Sequence, residues 1–377
     1  MNSPGPIHFL SNARAFTLGA EMELQVLDAG TFRLTPRAPE LMEHCGDPRL
    51  VKEMYRSTLE LVTGICMNAI EVRAELESSL AHLRGVAAPL GLRFAGTGTN
   101  PVADYNDRIV SQSERYQQLM HRNQWLIRRM AVYGLHVHLG MRSGDDCIHY
   151  MNQFLSVVPH LIAFSASSPF WRGVDTGLAA SRPTVYEAHP PSAMPPVMKD
   201  WQAFSTHHDL LVKTGAIASV KDLWWDLRPS PGYGTLELRI CDGPATLLEL
   251  EAIVAFIHVQ AHVFRLRRED DLGCLPELWV LRENKWRALR HGMDAQIIHQ
   301  NTYAQYNLKE DLLIRLHWMA PYFTALGYHE QLEVLRNICS RGNSTQRQRA
   351  VYAKRGDVED VLRHNALEFE SGEPCWT

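Results

Sequence analysis

Four segments of this chain alternate between apolar and polar residues, and this pattern constrains the fold more strongly than any other feature. The clearest is Tyr133–Met141, in which His136 and His138 point one way while Leu135 and Leu139 point the other. Successive side chains of a strand leave opposite faces of a sheet, so strict alternation predicts a half-buried β-strand. Both histidines would therefore share one polar face, and neutral imidazole is a common metal ligand.

The other three segments carry carboxylates on their polar faces. These residues are Glu21 and Glu23 in Phe16–Val26, Glu60 in Leu59–Thr63, and Glu237 with Arg239 in Gly234–Asp242. A single glutamate on a strand usually marks only the solvated face of a sheet. Four strands with the same arrangement of carboxylates, histidines and an arginine instead indicate one cavity that these side chains line. Carboxylate oxygens together with histidine form a ligand set for Mg²⁺ or Mn²⁺.

The composition is that of an ordinary soluble protein. At 377 residues the chain can form one large domain or two ordinary ones. A net charge of -4 leaves no basic excess that would hold nucleic acid nonspecifically. The seven cysteines are scattered without a C-x-x-C pair, which argues against a disulfide framework or a structural zinc site and suits a reducing cytosol.

No segment is expected to enter a membrane. The N-terminal residues lack the basic and apolar regions of a secretory signal. The most apolar helical segment, Leu247–Phe264, includes Glu249, Glu251 and His258 and is expected to be too polar to span a bilayer. We therefore expect a cytoplasmic protein that binds neither nucleic acid nor a membrane.

Helical periodicity separates the predicted strands and dominates the last third of the chain. The predicted helices span 38–43, 68–90, 113–130, 147–166 with a kink at Pro159, 246–268, 277–300, 309–320, 328–340 and 357–369, and further strands begin at Leu92 and cover Asp222–Pro229. In the helix over 68–90, one apolar stripe holds Ile70, Leu76, Leu80, Leu83 and Ala87. This order predicts an α+β fold in which helices cover the apolar face of a largely antiparallel sheet.

The chain has neither of the glycine-rich nucleotide motifs, G-x-x-x-x-G-K-[ST] or G-x-G-x-x-G opening a helix. If ATP binds, metal ions and strand side chains must hold it. The region 167–200 is rich in Pro, Gly and Ser, and long loops of this kind more often shape a site than serve as linkers. We expect it to cover the site.

Two further features near the predicted site are interpreted as packing. The pair Trp224-Trp225 is more typical of a core than of a platform for a nucleotide. Cys241 lies on the same strand face as Arg239 and is also expected to pack, since small buried thiols behave as apolar residues.

Five motifs occur in order along the chain, namely Gly19–Gln25, Gly134–Gly140, Ser165–Gly177, Trp225–Ser230 and Gly234–Asp242. With these motifs the chain resembles the YbdK-type carboxylate-amine ligases, the bacterial glutamate–cysteine ligase 2 group, which is related in fold to glutamine synthetase. The resemblance runs from about Phe16 to Arg341-Gly342 and Gln346–Arg349. It implies one glutamine-synthetase-like catalytic domain over 1–377, with a mainly helical C-terminal third and a sheet whose polar face holds Mg²⁺ and ATP.

The resemblance also implies roles for individual residues. The metal ligands would be Glu21, Glu23, Glu60, His136 and Glu237, with Glu53 as a further ligand outside the tight motifs. The catalytic residues would be Arg239, which faces the transferred phosphoryl group, Glu237, and His138 near the phosphates. Arg239 would also contact the nucleotide, while Arg182 and Arg228 would anchor either a nucleotide phosphate or a substrate carboxylate. The fork of an arginine suits both anions, so the sequence does not choose between them.

The implied activity is ligation of glutamate to cysteine, driven by ATP and Mg²⁺ (with Mn²⁺ as an alternative ion), through an acyl phosphate to γ-glutamylcysteine. A homodimer is the family-based expectation. Asn100 stands where we expect this family to place a histidine before a proline, so a different acid and amine pair stays open. A second reading ends at phosphorylation, as in a kinase for a small guanidino or carboxylate compound. The complete set of glutamates argues against a third, a non-enzymatic metabolite-binding protein.

Overall fold

The computed structural model describes residues 7–104, 109–267 and 277–376. The strands are β1 (Leu18–Asp28), β2 (Leu50–Lys52), β3 (Thr58–Val62), β4 (Leu92–Ala95), β5 (Leu135–Gly140), β6 (Phe170–Trp171), β7 (Val174–Asp175), β8 (Ser192–Ala193), β9 (Trp224–Trp225), β10 (Leu227–Ser230), β11 (Thr235–Leu238), β12 (Gln296–Ile298) and β13 (Gln305–Asn307). The α-helices are α1 (Ala38–Cys45), α2 (Ala69–Ala87), α3 (Glu114–Asn123), α4 (Gly144–Leu155), α5 (Val158–Ser165), α6 (Arg182–Tyr186), α7 (Trp201–Lys213), α8 (Leu247–Arg267), α9 (Leu278–His291), α10 (Leu308–Ala325), α11 (His329–Arg341), α12 (Ser344–Arg355) and α13 (Val358–Ser371).

One antiparallel sheet organises the described residues. Its strand order is β10-β11-β5-β1-β3-β2, and β4 pairs with the far end of β1. The central strand β1 sets Glu23 opposite Glu60 of β3 and Glu21 opposite His136 of β5. These pairings bring the alternating segments into one sheet and confirm the expected α+β class.

Helices cover the apolar face of this sheet. Met22 and Leu24 of β1 have no exposed surface, and Leu61 and Leu139 of the neighbouring strands are equally buried. Helix α2 packs on β1 and β3, α4 on β10 and β11, and α8 on β5. The polar side chains of the strands therefore project from the opposite face.

Helix α8 is the longest helix among the described residues and is largely apolar. Its stretch Leu247–Leu266 is long and apolar enough to cross a membrane by length and composition, so the expectation that its polar residues exclude this was wrong. Within the molecule, 83% of its most apolar stretch is buried. It packs against α2, α10 and α11 as well as the sheet, as the core helix of a soluble protein does.

Helix α2 follows the expected amphipathic stripe except at its first member. Leu76 is 1% exposed and Leu80 is 2% exposed, whereas Ile70 is 49% exposed. The inward position at this end belongs to Ala69, which is fully buried. Because successive residues of an α-helix are rotated by about 100°, Ile70 turns away from the core.

The segment expected to form one helix over 147–166 consists of two helices, α4 and α5. Pro159 does not kink a continuous helix but lies in the first turn of α5. The missing N–H of a proline costs nothing there, since the first N–H groups of a helix have no intrahelical partner. This proline therefore marks the start of a helix.

Two other helices end earlier than expected at residues with positive φ. Helix α9 ends at His291 rather than near 300, because Gly292 has a φ of 57° and the hairpin β12–β13 follows. Helix α3 ends at Asn123, before Gln124 with a φ of 49°, so the prediction over 113–130 was too long. Residue 268, the expected end of another helix, and Cys274 lie outside the described residues.

The strand expected over Asp222–Pro229 is interrupted, and three helices were missed, namely α6, α7 and α12. The segment begins within a 3₁₀ turn, and Asp226 separates β9 from β10. Helix α12 is too polar to show an apolar stripe, but Asn343 and Gln346 form a capping box at its start. That signature, N-x-x-Q, was the available signal for this helix.

Leu76→Ala is expected to lower the free energy of unfolding by about 2–5 kcal/mol, because truncation leaves a cavity in the core. Ile70→Ala on the same helix is the matched control and should change it by less than about 0.5 kcal/mol, since this side chain is largely solvated. Urea denaturation of both variants measures the difference. Equal losses would mean that Ile70 packs in the core like Leu76.

Candidate active site

A cavity of about 1000 Å³ lies on the polar face of the sheet. All ten site residues expected from the sequence line it, namely Glu21, Glu23, Glu53, Glu60, His136, His138, Arg182, Arg228, Glu237 and Arg239. Most of them come from β1, β3, β5, β10 and β11, where the antiparallel register aligns the polar side chains in rows. Arg228 is opposite Glu237, and Glu237 is opposite His138.

Two arginines hold Glu237, which is 1% exposed. Arg228 donates from Nε to Oε2 at 2.9 Å and from Nη2 to Oε1 at 3.0 Å, and Nη1 of Arg239 contacts Oε1. Burial alone would raise the pKa of Glu237, but Arg228 and Arg239 lower it to about 2. Glu237 is therefore a fixed anion next to two cations.

Glu21 bridges the two histidines of β5. Its Oε2 lies 3.0 Å from Nδ1 of His136, and its Oε1 lies 3.1 Å from Nε2 of His138. Burial opposes ionisation of this carboxyl, but the hydrogen bonds to both histidines hold its pKa far below the usual range. Burial and nearby Arg239 lower the pKa of His136. Burial also opposes protonation of His138, but the hydrogen bond to Glu21 and the negative charges of Glu237 and Glu21 together raise its pKa.

Glu23, Glu53 and Glu60 form an acidic group at the other side of Glu21. One oxygen from each of the three carboxylates lies within 4.8 Å of the others. Burial, reinforced by repulsion from Glu23, raises the pKa of Glu53 to about 7. Burial and repulsion from Glu53 raise the pKa of Glu60 well above its ordinary value. Buried like charges at this spacing favour binding of a proton or a cation.

The described residues contain two further groups whose ligand atoms lie equally close together. One consists of Glu21, His138 and Glu237, and the other of Glu21, Glu60 and His136. Glu21 belongs to both groups, and Glu60 links the second to the acidic group. Carboxylate oxygens with histidine suit Mg²⁺ or Mn²⁺, so this donor set fits the metal expected from the sequence.

Arg182 enters the cavity over Gly134, the glycine that directly precedes β5. A Cβ at Gly134 would lie 2.1 Å from Nη2 of Arg182. Nη1 of Arg182 donates to the carbonyl oxygen of Arg239 at 3.0 Å, and Nη2 lies 3.3 Å from Nε2 of His136. Among the described residues Arg182 forms no ion pair with a carboxylate, in contrast to Arg228 and Arg239.

Other lining residues were not identified from the sequence. They include Lys52, Arg115, Tyr116, Tyr186, Trp224 and Tyr233. Trp225 is buried in the core as expected. Trp224 is half-buried, since it packs against a smaller apolar cluster and also lines the cavity. Arg115 and Tyr116 come from α3, a helix without a buried residue. Tyr116, Leu119 and Met120 form a short apolar stripe on this helix, which was the available signal for its inward face.

Three expectations around the cavity have different outcomes. From the region 167–200, only Arg182 and Tyr186 line the cavity, while Phe170 and Ala180 are buried, so this segment forms part of a wall.

Asn100 is buried behind the cavity, where its Nδ2 donates to Oε1 of Gln25 at 3.0 Å. Cys241 is buried in the hydrophobic core, as expected.

Comparison with protein families matches residues 17–364 of this chain to the glutamate–cysteine ligase family 2. The chain belongs to this family. A Bdellovibrio bacteriovorus protein named "Putative glutamate--cysteine ligase 2" is 43% identical over 373 residues, which cover 98% of both chains. A Thermobifida fusca protein of the same name is 38% identical and covers 98% of this chain and 94% of its own.

Solved structures show that the fold of this family member also occurs in distant ligases. A bifunctional glutathione synthetase from Pasteurella multocida has a TM-score of 0.71 at 14% identity, covering 95% of this chain and 52% of its own. A glutamate–cysteine ligase from Francisella tularensis, solved in complex with AMP, has a TM-score of 0.68 at 12% identity, covering 97% and 91%. At these identities the likeness concerns the fold.

Because the pKa of Glu53 is raised, the difference in the free energy of unfolding between Glu53→Gln and the wild type is expected to depend on pH. The ordinary pKa of this carboxyl is 4.5, so the folded state is penalised as pH rises from about 4.5 through about 7, when the buried carboxyl must ionise. With a chelator present, Glu53→Gln should exceed the wild-type free energy of unfolding by roughly 1–3 kcal/mol at pH 8. At pH 4 the difference should vanish, because Glu53 is then protonated in both states.

Urea denaturation at the two pH values measures this difference. The exposed Glu310→Gln is the matched control, and it should show no comparable change between the two pH values. A gain from Glu53→Gln that is the same at pH 4 and pH 8 would contradict an electrostatic origin.

Proposed function

We propose that this member of the glutamate–cysteine ligase family 2 joins a carboxylate to an amine at the expense of ATP, with Mg²⁺ as the cofactor. The observation that carries the proposal is the convergence of three ligand groups with Arg182 and Arg239 in one cavity. Forming an amide from a free acid is uphill in water, so the acid must first be activated. A site for this reaction has to hold a triphosphate, a carboxylate and an amine together.

The ligand groups support the proposed metal dependence. Mg²⁺ would be held by Glu21, His138 and Glu237, and by Glu23, Glu53 and Glu60, with His136 next to both groups. When bound, the ions would neutralise phosphate charge that the carboxylates would otherwise repel. Burial and repulsion from Glu23 raise the pKa of Glu53, and a cation bound at this group would offset that repulsion.

The reaction that we propose has two steps, phosphorylation of the acid and attack of the amine on the acyl phosphate. A carboxylate oxygen of the acid takes the γ-phosphoryl group of ATP, the bond to the β-phosphate oxygen breaks, and ADP leaves. The amine nitrogen then attacks the acyl carbon, inorganic phosphate leaves with the bonding electrons, and the nitrogen loses a proton. Phosphoryl transfer depends mainly on positioning and charge stabilisation, which suits a site without an activated protein nucleophile.

The two neighbouring arginines that the sequence left undecided have different surroundings. Arg228 is committed to Glu237 through two hydrogen bonds, and its Nη1 also donates to the carbonyl oxygens of Lys221 and Leu223. We infer that Arg228 orients Glu237. Arg182 has no carboxylate partner among the described residues, so it is our candidate for binding the carboxylate or phosphate.

Arg239 and His138 complete the proposed catalytic set. Arg239 keeps one Nη on Glu237 and directs its charge into the cavity, where it would stabilise the phosphoryl group during transfer. His138 lies between Glu21 and Thr235, whose Oγ1 is 2.8 Å from its Nδ1. This pairing fixes the imidazole near the proposed phosphate position.

Glutamate and cysteine are the proposed substrates, because the names of the relatives carry this activity. We further propose that residues 1–377 act as one catalytic domain, in the cytoplasm and as a homodimer. The proposed site supports the single domain, since its residues extend from Glu21 to Arg239 and no shorter part of the chain contains them.

The test of this function is ADP release by the purified protein with Mg-ATP and glutamate, with cysteine, and with both. We expect turnover that requires both amino acids and yields γ-glutamylcysteine. Release with glutamate alone, without amide product, would instead favour the small-molecule phosphotransferase of the same fold. No ADP release with any tested acid and amine would contradict the proposal.

Glu21→Gln and Glu237→Gln should each lower kcat at least about 100-fold, because each removes a negative charge from a proposed metal group. Glu310→Gln is the matched control on the exposed first turn of α10 and should retain wild-type turnover. Thermal unfolding with increasing Mg²⁺ gives a second readout, in which the wild type should gain more stability than either site variant. Full activity in both site variants would refute the ligand assignment.

A further inference from the structure

A buried group of charges lies next to the cavity and contains none of the residues expected from the sequence. Its centre is Lys285 of α9, which is 4% exposed and comes from the C-terminal part of the chain. Its Nζ donates to Oδ2 of Asp226 at 2.5 Å and also pairs with Glu187. Lysine is almost never this buried unless it is paired.

Asp226 connects this lysine to the cavity in two ways. Its Oδ1 accepts a hydrogen bond of 2.7 Å from the hydroxyl of Tyr186, a lining residue. Its carbonyl oxygen accepts the backbone N–H of Arg239 at 2.7 Å. Asp226 is fully buried, so both contacts are shielded from water.

The guanidinium of Arg182 packs over the ring of Tyr186. The Cζ atom of Arg182 lies 5.3 Å from the centre of the Tyr186 ring, in a cation–π arrangement. Both residues belong to α6, and the hydroxyl at the far end of the ring is fixed by Asp226. The ring under Arg182 therefore has one end anchored to a carboxylate that Lys285 neutralises.

We propose that Lys285 is a positioning residue that sets Arg182 for its anionic ligand through Asp226 and Tyr186. The inference rests on the proposed function in one respect, that Arg182 binds a substrate carboxylate or phosphate. Lys285 touches no substrate. Its role is to keep the Asp226 carboxylate in place as the acceptor for Tyr186.

Electrostatics explains why the lysine matters for this geometry. Without Lys285, Asp226 and Glu187 would face each other's charge in a buried setting with no cation between them. Arg182 offers another positive charge, since it lies over the Tyr186 ring that Asp226 anchors and forms no ion pair with a carboxylate among the described residues, although its charge already favours ionisation of buried Asp242 by lowering the pKa of that carboxyl. Drawing Arg182 toward Asp226 would take its donors away from the cavity. Removing Lys285 leaves an uncompensated buried charge, so loss of stability is expected beside any loss of positioning, and the controls below separate the two.

The test compares Lys285→Met with Arg182→Met and Tyr186→Phe in steady-state kinetics and in calorimetric titrations with glutamate and with inorganic phosphate. The ligand whose KM or Kd rises in Arg182→Met is the anion that Arg182 binds. Lys285→Met should raise the same constant roughly tenfold, the equivalent of one charge-assisted hydrogen bond, and leave the other constants within about threefold. Adding Tyr186→Phe to Lys285→Met should cause no further increase, since both act through one contact.

Two controls separate positioning from general loosening. Arg73→Met removes a cation from the buried carboxylate of Glu251 between α2 and α8, away from the cavity, and should change none of these constants. Asp226→Asn added to Lys285→Met should restore the affected constant, because the amide oxygen still accepts from Tyr186 without the uncompensated charge.

Several outcomes would overturn the inference. The first is a Lys285→Met variant whose Tm is lowered but whose KM and Kd values are unchanged. The second is a rise of the KM and Kd of every substrate by the same factor in Lys285→Met and in Arg73→Met. The third is an Arg182→Met variant in which no KM or Kd changes. Failure of the proposed function has a different signature, namely a wild type that releases no ADP. In that case the calorimetric titrations still decide whether Lys285 and Arg182 affect binding of the same anion.

Discussion

The pairing of β1 with strands on both sides is the constraint on which the rest of the structure depends. It brings Glu21 against His136 and Glu23 against Glu60 at one register. Side chains alternate with a period of two, so a slip of one residue would turn every one of these groups into the apolar core. The buried leucines on the other face of β1 oppose such a slip. Packing of the core and placement of the polar groups are therefore set by the same hydrogen bonds.

Charge is distributed unevenly across this face of the sheet. Toward β10 and β11, Glu237 is held between Arg228 and Arg239 and is easily ionised. Toward β3, Glu53 and Glu60 face other carboxylates and resist ionisation. In one half of this face arginines neutralise the carboxylate charge, and these arginines can contact a triphosphate directly. In the other half the carboxylates have no such partner and can bind the metal ions of the triphosphate. This division is the physical basis of the proposed ligase chemistry.

Alternation in the sequence was sufficient to predict the strands that carry the site, because burial on one face imposes a period of two on every strand. Residues brought in by other elements had no such signal. Lys285 and Tyr186 meet through Asp226 across roughly 100 residues of sequence, and a buried ion pair leaves no periodic pattern. Tyr116 shares a short apolar stripe of its helix with Leu119 and Met120, but the neighbouring Arg115 had no such signal. Trp224 was assigned to the core because a half-buried tryptophan has the same sequence signature as a fully buried one.

The order of the site residues along the chain has a consequence for synthesis of the protein. Glu21, Glu23, Glu53 and Glu60 all precede residue 61, whereas Arg182, Arg228 and Arg239 come much later. At about 5–20 residues per second, a ribosome needs roughly 10–40 seconds to pass from Glu60 to Arg239. A nascent chain that pairs β1 with β3 in this interval presents four carboxylates before any of these three arginines exists. Lys52, which lines the cavity and precedes Glu53, and cations of the surrounding solvent are therefore the first counterions of this half of the site.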